Sequence, residues 1–299
     1  MKKLVVAIAS VSAVMASGVY AENLTSTDDL ELNLTGEVAV AYQKGLSNSS
    51  EGAMNITEVT LGAKPVYTTD GGVKAFGQIE LGFLTDPTDV KSAYVGLGYM
   101  NAELTVGKQA YASDAFGIGK DKAFGAGNQL AATSGVDVIK VAYELDDSVN
   151  VAASVDISES EGPSAIDLYA SYSVIDGLTV AGTVQSNKAN SDADALLNVG
   201  VSGEYSTEMY SAGAEFTYNV DTEDMAYEVA ASYNVLDNVT VAAGLGQTFF
   251  SADGADTLTQ YYLNTQYKVH ENAQAYVEVA SNSLDNSELG YEVGMQVSF

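Results

Sequence analysis

The sequence predicts an all-β fold: a transmembrane antiparallel β-barrel of about 16 strands with its third loop folded inward. Three observations predict it. Nearly the whole chain divides into segments of about ten residues in which apolar and polar side chains alternate. The connections between those segments alternate between tight turns and longer polar loops. One connection, Ala110 to Gly135 (AYASDAFGIGKDKAFGAGNQLAATSG), is much longer than the rest, rich in glycine and charged with both signs. A long loop on a rigid scaffold is where function concentrates. Here it is expected to fold into the mouth of the barrel and narrow a water-filled passage.

The alternation begins only after the segment MKKLVVAIASVSAVMASGVYA. Lys2 and Lys3 form a positive start, Leu4 to Met15 an apolar run, and Val19-Tyr20-Ala21 a small-residue pattern before a cut. That is the build of a signal peptide, residues 1–21, cleaved before Glu22. The apolar run falls short of the roughly 20 residues that a spanning helix needs. Residues 22–299 are then expected to form a single barrel domain.

The C-terminus is the clearest strand. Tyr291, Val293, Met295, Val297 and Phe299 alternate with Glu292, Gly294, Gln296 and Ser298, and a period of two places the sets on opposite faces. The same reading places strands at 30–42, 55–67, 72–83, 91–99, 102–109, 136–145, 149–157 and 165–174. It continues through 178–186, 195–206, 209–220, 225–235, 238–249, 258–268, 273–281 and 288–299. A count of about fourteen would satisfy the same alternation. Met100-Asn101, Asp176-Gly177 and Leu236-Asp237 are tight turns, whereas 45–54, 187–194 and 251–257 are longer loops. An even count lets the last strand close on the first and leaves no open edge. Tyr42, Tyr99, Tyr233 and Tyr291 fall near strand ends, where an interfacial aromatic girdle belongs.

Composition narrows the function. The formal charge is −28, and removal of the leader with its two lysines and no acid makes the mature chain more acidic still. Such an excess argues against nucleic-acid partners. Cysteine is absent, so no disulfide framework supports the exported chain. The single histidine, His270, falls in a predicted short turn away from the long loop, and with no cysteine the nucleophilic repertoire is small. The chain therefore reads as a protein without catalytic activity and without a cofactor. The loop glycines Gly117, Gly119, Gly125 and Gly127 lack the Gly-Lys-Ser/Thr of a phosphate cradle. The acidic loops at 221–224 and 253–256 lack the ligand spacing of a dedicated calcium site.

Val59-Thr60-Leu61-Gly62-Ala63-Lys64 followed by Gly71-Gly72-Val73-Lys74-Ala75-Phe76-Gly77-Gln78-Ile79-Glu80 resembles the second and third strands of Gram-negative general porins. Tyr94-Val95-Gly96-Leu97 looks like their fourth strand. Leu104-Thr105-Val106-Gly107-Lys108-Gln109, running into Asp114-Ala115-Phe116-Gly117, is similar to their fifth strand and the entry to their constriction loop. With the terminal Phe299 the likeness covers the mature chain. The resemblance implies a homotrimer in the bacterial outer membrane, in contact with its lipid, that passes small hydrophilic solutes and inorganic ions by passive diffusion. It also implies an acidic loop facing arginines on the wall. This chain departs there: it has no arginine, Lys108 stands in Gly-Lys-Gln where Gly-Arg-Gln is common, and Thr60 stands where arginine is usual.

The candidate constriction therefore comprises the acids Asp114 and Asp121 and the bases Lys108, Lys120 and Lys122. Lys74, Phe76, Gln78 and Glu80 share one parity on the third strand and are candidate pore-lining residues. Lys108 follows the apolar register of Leu104 and Val106, so only a local bulge or the resemblance turns it inward. Acidic side chains lining a narrow pore favour cations, so a cation-preferring channel is expected. A structural or adhesive barrel is one alternative. A solute-selective channel is another, which would need an aromatic file built from residues such as Phe76, Tyr94 and Tyr276.

Overall fold

A strand that alternates apolar and polar residues must bury one face and wet the other, and its backbone must find a partner on both sides. This chain meets both demands by closing one sheet on itself. The computed structural model describes residues 22–27, 30–84, 88–125, 133–146, 148–158, 164–188, 193–252 and 254–299. The leader, loop residues 126–132 and Asp253 lie outside them.

The strands, in order, are β1 (Glu22–Thr27), β2 (Leu30–Lys44), β3 (Ala53–Thr68), β4 (Val73–Gly82), β5 (Asp89–Tyr99) and β6 (Ala102–Ala110). After the long loop come β7 (Ser134–Asp146), β8 (Val149–Asp156), β9 (Ala165–Ile175), β10 (Leu178–Asn187), β11 (Leu196–Ser206) and β12 (Tyr210–Asn219). The last are β13 (Met225–Leu236), β14 (Val239–Phe249), β15 (Leu258–His270), β16 (Ala273–Asn282) and β17 (Gly290–Ser298). Each strand from β2 to β17 pairs antiparallel with its neighbour in sequence, and β17 returns to pair with β2, from Tyr291 against Lys44 to Ser298 against Glu37. The result is a closed barrel of sixteen strands, β2–β17. The sequence-predicted segments match these strands to within a few residues. His270 is the last residue of β15 rather than part of the turn.

One strand was not foreseen. β1 pairs with the start of β2, from Glu22 against Leu34 to Thr27 against Leu30. It takes up the edge of β2 where β17 stops, at the paired backbones of Gly36 and Phe299. β2 is longer than β17 can cover, and the extra edge would otherwise lie open.

The molecule is inverted relative to a soluble protein. Val38, Val40, Val95, Leu97, Leu168, Val201 and Leu263 are exposed, whereas Asp167, Gln185, Asn198, Asn264 and Glu278 are at most 1% exposed. Such an apolar exterior is stable only against hydrocarbon. The buried polar groups satisfy one another across strands. Asn219 donates to Asn198 at 2.9 Å, and Asn198 donates to Asn187 at 3.3 Å. At the barrel's rim Tyr42 and Tyr291 stack with centroids 6.1 Å apart.

Several inward aromatics lie flat on the wall over a cross-strand glycine. A Cβ at Gly96 would sit 2.3 Å from the Phe76 ring, one at Gly244 2.3 Å from Tyr262, and one at Gly294 2.4 Å from Tyr276. The glycine makes room for the ring, and the ring stays out of the lumen. Accordingly, Gly294→Val is expected to displace Tyr276 and lower barrel stability by about 2 kcal/mol. The urea midpoint of the refolded barrel, followed by far-ultraviolet circular dichroism, measures it; an unchanged midpoint would contradict the packing.

Candidate functional site

A loop inside a barrel carries backbone N–H groups that no ladder satisfies, and each needs an acceptor. The loop between β6 and β7 finds them on the inner wall. It leaves Ala110 through a 3-10 turn, Ala112–Ala115, and runs against one strand after another. The Ala112 N–H donates to Ser154 Oγ on β8 at 2.8 Å, and Tyr111 OH donates to Asp156 Oδ2 at 2.7 Å. Ser113 Oγ donates to Asp167 Oδ1 on β9 at 2.5 Å, and Gln185 Nε2 on β10 donates to both, at 2.9 Å each.

Farther along, the Ile118 N–H donates to Glu215 Oε2 on β12 at 2.9 Å. The Lys120 N–H donates to the Tyr262 hydroxyl on β15 at 2.7 Å, and that hydroxyl donates to Glu228 on β13 at 3.3 Å. Asn264 Nδ2 on β15 donates to the Lys120 carbonyl at 2.8 Å. The tip is held by one side chain. The N–H groups of Lys122, Ala123 and Phe124 donate to the Glu278 carboxylate on β16 at 2.7, 3.0 and 2.9 Å. Glu278 is 0% exposed. Apolar contacts reinforce the path: Phe116 packs with Ala112 and Tyr169, and Phe124 packs with Leu46 against Tyr262 and Ala280. From β8 to β16 the loop lines the wall, and the inner faces of β2–β6 stay uncovered by these contacts.

The structure separates the sequence-predicted acids. Asp114 is half-buried at the start of the loop, within electrostatic reach of Lys140 on β7. Asp121 is at the tip, where its carboxylate accepts from its own N–H and that of Gly125 and lies near Glu278. Burial pushes both carboxyls above the usual aspartate range, opposed by Lys140 for Asp114. For Asp121 the Glu278 charge adds to the rise and the two backbone N–H groups oppose it. The bases also differ among themselves. Lys120 Nζ is ion-paired with Glu204 on β11 at 2.8 Å. Lys122 is exposed and its ammonium makes no ion pair among the described residues.

Lys108 sits beside a bulge between Gly107 and Gln109, where Gly107 adopts φ 137°. Its ammonium reaches Asp89 Oδ1 at 3.4 Å, and Lys91 reaches the other oxygen at 3.8 Å. On β4, Lys74 is exposed, and Gln78 accepts from Tyr94 OH at 2.7 Å. Phe76 is 8% exposed beneath Lys64, whose Nζ is 4.9 Å from the ring centroid. Glu80 is half-buried opposite Gly62 and Ser92.

Sequence reasoning missed the wall partners: Asp156, Asp167, Glu204, Glu215, Tyr262, Asn264 and Glu278. Their signal was an acid, amide or tyrosine at inward parity on a strand. Nothing local says that its partner is a loop residue between 45 and 156 positions away.

A family model described as Gram-negative porin matches residues 5–287. Porin-like protein H of Photobacterium profundum is 23% identical, with 100% of each chain covered. Among solved structures, the trimer form of OmpT of Vibrio cholerae is similar with a TM-score of 0.77 at 18% identity, covering 91% of this chain and 100% of that one. An anion-selective porin from Comamonas acidovorans has a TM-score of 0.73 at 16% identity, with 91% and 100% covered.

Two outcomes follow from the loop's seating. Glu278→Ala removes the acceptor of three N–H groups, a loss of about 2 kcal/mol in local stability. Hydrogen–deuterium exchange at 122–124 is then expected to accelerate by more than about tenfold while the strands keep their protection. Asp121→Asn keeps an acceptor but removes a charge that burial penalises. The folded carboxyl titrates above its unfolded value, so the penalty is present at neutral pH and vanishes once the pH falls below the unfolded value. The variant is expected to be at least as stable as the parent at pH 7 and to lose that margin in acid; denaturant midpoints across pH give the comparison.

Proposed function

Since this chain belongs to the Gram-negative porin family, we propose that it forms a cation-preferring channel for passive diffusion of small hydrophilic solutes across the outer membrane. Family and fold together support an outer-membrane porin channel. The finer reading, charge preference, is carried by one observation. Among the described residues, the buried inner-face groups include seven carboxylates (Glu37, Asp156, Asp167, Glu215, Glu228, Glu278 and Glu292) and no lysine. A lumen of that charge, walled by low-dielectric material, concentrates cations and repels anions.

The mechanism involves no bond making. Solutes enter from one side, pass between the seated loop and the wall of β2–β6, and leave down their gradient. The loop residues Asp114, Lys120, Asp121 and Lys122 and the wall residues Lys74, Phe76, Gln78, Glu80 and Lys108 are proposed to frame that passage. Size is sieved by the loop, and charge by the groups beside it. The anion selectivity named for the Comamonas porin occurs on a similar fold, so the preference resides in lumen side chains and not in the barrel. By analogy with the trimer form of the Vibrio OmpT, the chain is proposed to act as a homotrimer. Residues 1–21 are proposed as its cleaved export signal. A catalytic role is not proposed: His270 ends β15, on strand register with Ala273, far along the sheet from the loop anchors on that strand.

Planar-bilayer recording of the refolded mature protein under a salt gradient tests the reading. A stable conductance is expected, with a reversal potential that favours potassium over chloride by about threefold or more. A reversal potential favouring chloride would overturn the cation preference. Absence of conductance from a folded barrel would overturn the channel.

A further inference from the structure

The charges of the loop are largely engaged, within the loop or with the wall beside it. Asp121 accepts backbone N–H groups of its own tip, Lys120 is paired to Glu204, and Asp114 faces Lys140. Lys122 makes no ion pair among the described residues; Asp121, Glu278 and Glu37 are the charges within its electrostatic reach, and its own N–H is fixed on Glu278.

The wall that the loop leaves uncovered carries a cluster of acids on β2–β4, with Lys64, Lys74, Lys91 and Lys108 elsewhere on β3–β6. Glu37 on β2 stands opposite Thr60 on β3, Glu58 is two residues along β3 opposite Ala39, and Glu80 on β4 stands opposite Gly62. Directly opposed residues and their diagonal neighbours share a face within reach of long side chains. The positions between the three acids are Thr60, Gly62 and Gly82; none carries a charge, although the Lys91 side chain lies over Gly82. None of the three carboxylates is ion-paired among the described residues. Glu37 adds a separate observation. It is 8% exposed, and its Oε2 finds no hydrogen-bond donor among the described residues. A carboxylate oxygen left in that state calls for a counter-charge. Glu58, Glu80 and Lys122 are the charges within its electrostatic reach, and Lys91 is within that of Glu80.

We infer that the charge preference of this channel is set by Glu37, Glu58 and Glu80 on the wall facing Lys122 on the loop, and not by the loop aspartates. This rests on the channel reading above and exchanges the signs that the resemblance implies: here the wall is acidic and the loop tip basic. Cations are drawn along the β2–β4 side, one carboxylate to the next, and Lys122 holds anions and cations apart at the narrow point. Thr60 is central to the arrangement, because a base at that position would neutralise the acids on either side of it.

The absence of cysteine in the chain permits a test in which one charge is changed on an already folded, conducting channel. Glu80→Cys, Glu58→Cys and Lys122→Cys are each recorded in a bilayer under a salt gradient, before and after a cationic or an anionic methanethiosulfonate reagent. Labelling is verified by mass. An anionic adduct at residue 80 or 58 is expected to raise the potassium-to-chloride permeability ratio, and a cationic adduct to lower it, each by about two- to threefold per charge. Replacing Lys122 by cysteine is expected to raise the ratio, and the cationic adduct to restore it. Asp114→Asn/Asp121→Asn is expected to move the ratio by less than any of these single changes of charge. Labelled channels whose reversal potential does not move would overturn the inference while leaving the channel intact. A ratio that moves only in the aspartate double variant would overturn it in favour of the loop. Parent protein that folds but does not conduct would overturn the channel reading and this inference with it.

Discussion

Irregular backbone placed inside a barrel has to find acceptors for its N–H groups, and most of this molecule's interior is arranged to provide them. Glu278 takes three such groups from the loop tip, Glu215 takes that of Ile118, and Ser154 that of Ala112. Because the lumen is wet and polar, a seated loop competes with water for those groups. A carboxylate competes better than a neutral acceptor, since charge-assisted hydrogen bonds are roughly twice as strong. The acidity of the chain is therefore structural before it is electrostatic. Acids at inward parity are what keep a long loop on the wall.

The same wall has to remain open. Flattening Phe76, Tyr262 and Tyr276 over cross-strand glycines places large rings on the inner face without projecting them across it. Tyr262 then does two jobs, packing on Gly244 and accepting the Lys120 N–H. An aromatic file of the kind a sugar channel uses would need rings standing into the lumen, and Phe76 and Tyr276 lie against the wall instead.

Two populations of acid emerge from these contacts. One, on β8, β9, β12, β13 and β16, is engaged by the loop and acts on passing ions only through its field. The other, on β2, β3 and β4, is not ion-paired among the described residues, and Thr60 and Gly62 separate its carboxylates. Composition counts both populations alike, so an acidic formal charge says nothing about which acids a permeating ion meets.

Period-two alternation determined much of this protein unaided. It determines the face of every residue in a strand, so the apolar exterior, the polar interior, the closed antiparallel sheet and the position of nearly every strand were legible, as was the long loop that breaks the pattern. β1 was not legible, because its pairing depends on β2 outrunning β17, which is a property of register and not of composition. Lys108 was ambiguous for a related reason: a bulge beside Gly107 resets parity, and a bulge has no period. What only the tertiary structure decided is which inward residue meets the loop. Asp114 and Asp121 look alike in sequence, yet one faces Lys140 on β7 and the other Glu278 on β16. Lys120 and Lys122, two residues apart, end one in an ion pair and one without an ion pair among the described residues. Parity is a local property of the chain. The partner across a lumen is set by barrel closure, which brings loop residues to wall residues as far as 156 positions away, and no window of sequence contains both.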